Sequence, residues 1–110
     1  MKGFGDLYKS EKKANKKSVF SKKQIINQAI KLHKEGDISE AIKYYQKIIK
    51  QGYDDPTVFS NYGVILKSLG KLKEAEISTR KAIELNPNFA EAHSNLGGIL
   101  KDLGKLKEAE

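Results

Sequence analysis

The chain has 110 residues, of which 38% are apolar and 32% are charged, and its formal net charge is +7. This length allows one domain with a modest core, and the absence of cysteine excludes disulfides, thiolate catalysis and cysteine-ligated metal sites. The sequence contains neither a secretory signal nor an apolar run of about 20 residues, the length of a membrane span, so we expect a cytoplasmic protein.

The first 21 residues differ in composition from the rest of the chain. Residues 1–23 contain eight lysines and two acidic residues, so most of the net positive charge belongs to this segment. Its apolar residues lack helical periodicity, which predicts a flexible lysine-rich tail over residues 1–21. Such a tail either makes weak contacts with polyanions or is only solvated. Specific nucleic-acid recognition is not expected, because Arg80 is the only arginine of the chain.

Residues 22–110 show helical periodicity that is interrupted at regular intervals. The predicted helices cover residues 22–35, 38–51, 56–69, 72–85 and 89–103, and a sixth begins at Leu106. Capping patterns precede four of these helices: Ser21 with Gln24, Asp37 with Glu40, Asp55 before Pro56, and Asn88 with Glu91. The helices therefore form antiparallel pairs that are joined by short turns.

An internal repeat organises these pairs. The string Leu66–Glu76 returns at Leu100–Glu110, 34 residues later, and the copies differ only in Ser68 against Asp102. Glycines recur with the same spacing between the helices of each pair, where a tight turn needs a residue without a Cβ: Gly36, Gly70 and Gly104. A period of this length indicates a solenoid of helix hairpins.

Aligned on these glycines, the units resemble tetratricopeptide repeats. The shared positions are a large residue, a small residue and a leucine in the first helix and an alanine in the second: Ile25/Phe59/His93, Ala29/Gly63/Gly97, Leu32/Leu66/Leu100 and Ala41/Ala75/Ala109. The resemblance implies an all-α, right-handed superhelical solenoid of about two and a half repeats, over residues 22–55, 56–89 and 90–110. The third repeat stops inside its second helix, so we expect this chain to be a fragment.

The first unit departs from the pattern of the other two. It has Lys31 and Glu35 where the second unit has Ile65 and Leu69, which is typical of a capping repeat with a polar outer face or of simple drift. Of the two histidines, we expect His93 to pack in the core and His33 to be solvated. They lie 60 residues apart and predict no metal site, and no motif suggests a cofactor.

Solenoids usually act by presenting a surface, and the resemblance implies that the first helix of each unit lines a concave groove. Asparagine occupies the same position of this helix three times, and its amide can bond both polar groups of a peptide backbone. The expected peptide-binding residues are Asn27, Asn61, Asn95, Ile30, Val64, Lys67 and Lys101. These repeats resemble those of O-GlcNAc transferase, where an asparagine ladder holds peptides. The alternative role for these asparagines is to bridge neighbouring helices.

The sequence thus predicts a protein-interaction scaffold that binds an extended peptide or a partner helix. Nothing resembles a nucleophile–base pair, so we expect no catalysis within this chain. Tetratricopeptide arrays are also found as recognition arms, and the alternative function is the N-terminal arm of a larger transferase. The positions of a Lys/Asn/Arg clamp for chaperone tails hold Ile26, Ile30, Glu91 and Asn95, so an adaptor for such tails is not expected.

Overall fold

The computed structural model describes the backbone of residues 10–109 and the side chains of residues 22–108. Within this part of the chain all regular structure is α-helical, which confirms the predicted fold class. The helices are α1 (Ser10–Lys34), α2 (Ile38–Lys50), α3 (Pro56–Ser68), α4 (Leu72–Leu85) and α5 (Ala90–Ala109). The pairs α1–α2 and α3–α4 form two hairpins, and α5 packs against the second of them.

The three middle helices end within one residue of their predicted limits, but α1 begins much earlier than expected. It starts at Ser10 and not at Lys22, so Ser21 lies inside the helix and the N-cap predicted there is wrong. Lysine, alanine and glutamate favour helix in this stretch even though its apolar residues have no periodicity. The side chains of residues 1–21 lie outside the described part, so the tail and its polyanion contacts stay a prediction.

Two glycine turns close the hairpins in the same way. Gly36 and Gly70 have φ angles of 85° and 80°, in the left-handed region that favours glycine. The residue after each glycine donates its N–H to a carbonyl of the preceding helix, Asp37 to Leu32 and Lys71 to Leu66, both at 2.9 Å. The expected turns therefore form in the first two units.

The predicted helix caps have mixed outcomes. Asp55 accepts the N–H of Val58 at 3.1 Å with Pro56 at the first helical position, as predicted. Asp37 precedes α2, but its side chain forms no capping hydrogen bond. Before α5, Asn86 accepts the N–H of Asn88 at 3.3 Å, and the helix starts only at Ala90, so the predicted Asn88 cap is wrong.

The third unit has no turn at Gly104. Helix α5 continues through this glycine to Ala109, whereas the sequence predicts a break before a sixth helix at Leu106. At Gly70 the turn is accompanied by packing of α4 on α3, whereas within the described part of the chain no following helix packs on α5 in the corresponding way. The first ten residues of the duplicated string thus contain a turn in one unit and form a continuous helix in the next.

The core runs along the array as three connected clusters. The largest fully buried side chains are Tyr45, Ile48, Ile65, Ile99 and Val58. Lys31 is exposed, whereas the equivalent Ile65 and Ile99 are buried, which fits the polar outer face expected of the first unit. The core therefore holds the first helices of the three units, α1, α3 and α5, next to one another.

Candidate peptide-binding groove

The predicted site residues all lie on the first helices of the three units. We call the surface they form the groove surface: Asn27 and Ile30 of α1, Asn61, Val64 and Lys67 of α3, and Asn95 and Lys101 of α5. Asn27, Val64 and Lys101 are exposed, and the other four are half-buried. The sequence prediction therefore selects side chains that solvent reaches at least in part.

On α1, Asn27 and Ile30 line an open depression of about 480 Å³. Lys31, Lys34 and Glu35 complete its wall. Asn27 is exposed, so its amide is available to a ligand without breaking a contact of the core.

Asn61 belongs to a hydrogen-bonded chain that crosses three helices. Its Nδ2 donates to the hydroxyl of Tyr45 at 3.1 Å, and that hydroxyl lies 3.1 Å from Nδ1 of His33. The Tyr45 hydroxyl has one proton, and with a neutral His33 it donates this proton to Nδ1 and accepts from Asn61. This arrangement leaves Oδ1 of Asn61 as an acceptor for another group.

Asn95 makes a similar bond one unit later. Its Nδ2 donates to the hydroxyl of Ser60 at 3.3 Å, and Ser60 is fully buried on α3. Two of the three asparagines therefore bridge neighbouring helices, as the alternative interpretation expects. Each amide still has one N–H and its oxygen unused in these bonds, so bridging and peptide binding are compatible.

Lys67 brings positive charge close to α5. A Cβ placed on Gly98 would lie 3.0 Å from the Lys67 ammonium nitrogen, so the lysine reaches across to the neighbouring helix. Together with the exposed Lys101, it makes the α3–α5 part of the groove surface basic. A ligand with negative charge is favoured there.

His33 predicts a pH dependence of stability. Burial lowers the pKa of His33 from its ordinary value of 6.5, because the half-buried ring loses hydration that favours the charged form. The unfolded chain therefore takes up the proton at a higher pH than the folded chain. We expect the free energy of unfolding to be unaffected by this group above pH 6.5 and to fall as the pH drops from 6.5 to the lowered pKa.

Urea unfolding followed by circular dichroism at a series of pH values measures this effect. In the variant His33→Gln, the side chain still accepts from Tyr45 but does not titrate, so the decrease over this window becomes smaller. An unchanged decrease in His33→Gln would assign the pH dependence to other groups.

Neither histidine occupies the environment predicted for it. His33 is half-buried and bonded to Tyr45, whereas the sequence predicts a solvated residue. His93 is exposed, and its Nε2 lies 2.7 Å from the carbonyl oxygen of Pro87, so its predicted core position is wrong. Phe59, which holds the same repeat position in the second unit, is buried against Ala82 of α4 and Ala92 of α5.

Two features of the structure have no counterpart in the sequence prediction. The first is the role of the Tyr45 hydroxyl in orienting Asn61. The repeat pattern indicates an aromatic core residue at this position but does not indicate the hydrogen bonds of its hydroxyl. The second feature is an apolar pocket of about 200 Å³ between α2, α3 and α4, lined mainly by Ile49, Phe59, Tyr62, Leu66 and Ile77. These residues come from three helices, so no sequence spacing indicates the pocket.

Within the described residues, no group of three or more His, Asp and Glu side chains is arranged to hold a metal ion. None of the helices in the described part of the chain is long and apolar enough to span a membrane.

Two family models, both described as tetratricopeptide repeat, match the chain. One covers residues 56–89 and the other residues 79–110. Together the two matches cover half of the chain, residues 56–110. The helix hairpins described above repeat with the 34-residue period of the sequence. The chain belongs to the tetratricopeptide repeat family. No curated protein matches the chain.

Solved structures with this fold include peptide complexes. The first tetratricopeptide repeat domain of Spaghetti (RPAP3), bound to the HSP90 peptide SRMEEVD, is 28% identical with a TM-score of 0.67, covering 80% of this chain and 70% of that chain. The second such domain of the same protein, bound to the same peptide, is also 28% identical with a TM-score of 0.67, covering 90% and 89%. A double domain of yeast Sti1 in an HSP90 complex is 23% identical with a TM-score of 0.66, covering 96% of this chain and 43% of that chain.

These similarities identify the fold as that of a protein-interaction scaffold. They do not connect the repeats specifically with O-GlcNAc transferase, and they do not support the alternative of a transferase arm. Tetratricopeptide repeat domains are typically non-catalytic modules that bind proteins.

Proposed function

We propose that this chain binds an extended, acidic peptide of a partner protein along the groove surface. The observation that carries the proposal is the placement of three asparagine amides on successive first helices, each with hydrogen-bonding groups left over from its contacts within the fold. Two structures 28% identical to this chain hold an acidic peptide, which supports the same class of ligand here.

The asparagines suit the backbone of the peptide and not its side chains. An extended peptide presents alternating N–H and C=O groups, and an asparagine amide donates and accepts. In Asn61, the bond to Tyr45 uses one N–H and leaves Oδ1 as an acceptor for a peptide N–H. The bonds to Tyr45 and Ser60 also restrict both side chains before a ligand arrives, which lowers the entropic cost of binding.

The charge of the peptide follows from Lys67 and Lys101. These side chains lie on α3 and α5, six residues after Asn61 and Asn95, and acidic side chains of a bound peptide would complement their charge. Because Ile26, Ile30 and Asn95 occupy clamp positions, we expect no dependence on a free terminal carboxylate. Recognition would therefore depend on internal acidic residues.

Fluorescence polarisation with labelled SRMEEVD and with its C-terminally amidated form tests this proposal. We expect similar affinities for the two forms and weaker binding of SRMKKVK. Asn27→Ala removes one hydrogen bond of about 1 kcal/mol and should weaken binding about fivefold, and Asn61→Ala with Asn95→Ala should weaken it about thirtyfold.

Asn88→Ala is the matched control, because Asn88 is an exposed asparagine outside the groove surface. The double variant also loses its bonds to Tyr45 and Ser60, so its unfolding midpoint must be measured in parallel. Asn27→Ala avoids this problem since Asn27 is exposed. Affinities equal to that of the unmodified chain in both groove variants would contradict the proposal.

A further inference from the structure

The hydrogen-bonded chain from His33 to Asn61 passes through a hydroxyl that can donate only once. Nδ1 of His33 and Nδ2 of Asn61 each lie 3.1 Å from the Tyr45 oxygen. Tyr45 is fully buried, so its hydroxyl depends on these two neighbours for hydrogen bonds. The hydroxyl proton points to one neighbour, and the other neighbour must donate to the oxygen. The group that accepts on one side therefore determines the group that donates on the other.

The protonation state of His33 decides which neighbour accepts. A neutral ring with its proton on Nε2 accepts at Nδ1, and Tyr45 then accepts from Nδ2 of Asn61, as in the structure. A protonated ring donates from both nitrogens, so Nδ1 no longer accepts from Tyr45. The hydroxyl proton then turns toward Asn61, where only Oδ1 accepts it. The Asn61 amide must turn over to bring Oδ1 into this position.

We propose that His33 is a positioning residue that sets the orientation of the Asn61 amide through the Tyr45 hydroxyl. When His33 is neutral, Asn61 has Oδ1 free to accept an N–H of a bound peptide. When His33 is protonated, Asn61 presents the hydrogens of Nδ2, and the same peptide N–H meets a donor. His33 thereby selects the backbone group that Asn61 binds, although it lies on a different helix.

The surroundings of His33 leave Tyr45 as its main polar contact. Helix α1 packs on α2 and α3, and from α2 the ring of Tyr45 meets that of His33 edge-on, with centroids 5.9 Å apart. Burial raises the pKa of Tyr45, so its hydroxyl keeps its proton in neutral and acidic solution. From α3, Tyr62 packs on Tyr45 at 6.3 Å between centroids. The adjacent charges on α1, Lys34 and Glu35, are exposed, and burial lowers the pKa of His33.

Acid has opposite effects on peptide binding through charge and through the hydroxyl. By charge alone, protonated His33 attracts an acidic peptide, and binding strengthens as the pH falls. Through the hydroxyl, loss of the Asn61 acceptor removes one hydrogen bond to the peptide, which weakens binding about fivefold. This consequence for binding rests on the function proposed above, whereas the orientation of the amide is a property of the free chain.

Nuclear magnetic resonance of the free chain tests the orientation. Nitrogen-15 spectra should show that neutral His33 carries its proton on Nε2, and the Asn61 amide resonances should shift with the same pH midpoint as the His33 ring. In Tyr45→Phe, His33 still titrates but the Asn61 resonances should not follow. The matched control is His93→Gln, which removes the other, exposed histidine and should leave the shift unchanged. A neutral ring protonated at Nδ1, or an Asn61 shift that persists in Tyr45→Phe, would overturn the proposal.

Fluorescence polarisation with labelled SRMEEVD, from about pH 7.5 to about pH 5, gives the second readout, because the carboxyl groups of the peptide have ordinary pKa values of about 4. The affinity of the unmodified chain should fall about fivefold as His33 becomes protonated. In Tyr45→Phe it should stay constant or rise, because His33 keeps its charge but loses its connection to Asn61. An affinity that rises with acid in the unmodified chain would overturn the proposal.

Circular dichroism at each pH checks that the variants stay folded. His33→Gln keeps an acceptor for Tyr45 but does not titrate, so it should show neither the Asn61 shift nor the fall in affinity; either effect in this variant would also overturn the proposal. Absence of peptide binding at every pH, together with a coupled titration of His33 and Asn61, would contradict the function proposed above and support the orientation of Asn61 by His33.

Discussion

Replacing Gly63 with alanine is expected to destabilise the protein, whereas the same substitution at Gly97 is expected to stabilise it. The two glycines occupy the same repeat position and lie inside helices α3 and α5. At Gly63 the new methyl group would collide with Thr79 and lie 3.4 Å from the carbonyl oxygen of Ala75. At Gly97 it would enter open space.

The magnitudes follow from two opposing effects. Alanine in place of glycine inside a helix gains about 0.5–1 kcal/mol, and this is the whole effect expected at Gly97. Overpacking a core costs about 1–3 kcal/mol, so Gly63→Ala should be net destabilising by up to about 2 kcal/mol. Urea unfolding followed by circular dichroism measures both changes on the same scale.

A second substitution checks the mechanism. Thr79→Ala removes the colliding oxygen, and the Thr79 hydroxyl has no hydrogen-bond partner among the described residues, so little is lost with it. The double variant Gly63→Ala with Thr79→Ala should recover most of the stability that Gly63→Ala loses. If Gly63→Ala and Gly97→Ala changed the free energy of unfolding equally, or if the double variant recovered no stability, contact with α4 would not require glycine at position 63.

The largest loss of stability is expected from Tyr45→Ala. Tyr45 is fully buried and packs in the cluster that joins the first two units, so truncation leaves a large cavity. Replacement of a buried aromatic residue by alanine costs about 3–5 kcal/mol. Tyr45→Phe keeps the ring and loses the hydroxyl bonds to Asn61 and His33, at a cost of about 2 kcal/mol for the two bonds.

Comparison of Tyr45→Ala with Tyr45→Phe also separates the packing of the Tyr45 ring from the orientation of the Asn61 amide by the Tyr45 hydroxyl. Tyr45→Phe should weaken peptide binding more than its small loss of stability suggests, because Asn61 loses the bond that holds its amide. Tyr44→Phe is the matched control, since the Tyr44 hydroxyl forms no hydrogen bond with other described residues. Equal peptide affinities of the Tyr45→Phe and Tyr44→Phe variants would remove Tyr45 from the binding mechanism.

The fold was predictable because its signals are local and repeated. Gly36 and Gly70 indicate turns by their chemistry, and Asp55 with Pro56 indicates a helix start that the structure confirms. The failures occur where the outcome depends on distant packing. Gly104 has the same neighbours in sequence as Gly70, yet helix α5 continues through it, so the local residues alone do not decide between a turn and a helix.

The candidate groove was predictable only in part for the same reason. A column of asparagines is visible in the sequence, but their partners Tyr45 and Ser60 are 16 and 35 residues away. The exposure of His93 likewise depends on which helices lie around it, not on its repeat position. Sequence position identifies the candidate residues, whereas the bonds that orient them require the fold.

The docking of α5 is largely independent of the duplicated string. Helix α5 packs on the second unit through Ala92, Ile99 and Leu103. Ala92 and Ile99 precede the string, so most of this contact does not depend on whether the string forms a turn or continues the helix.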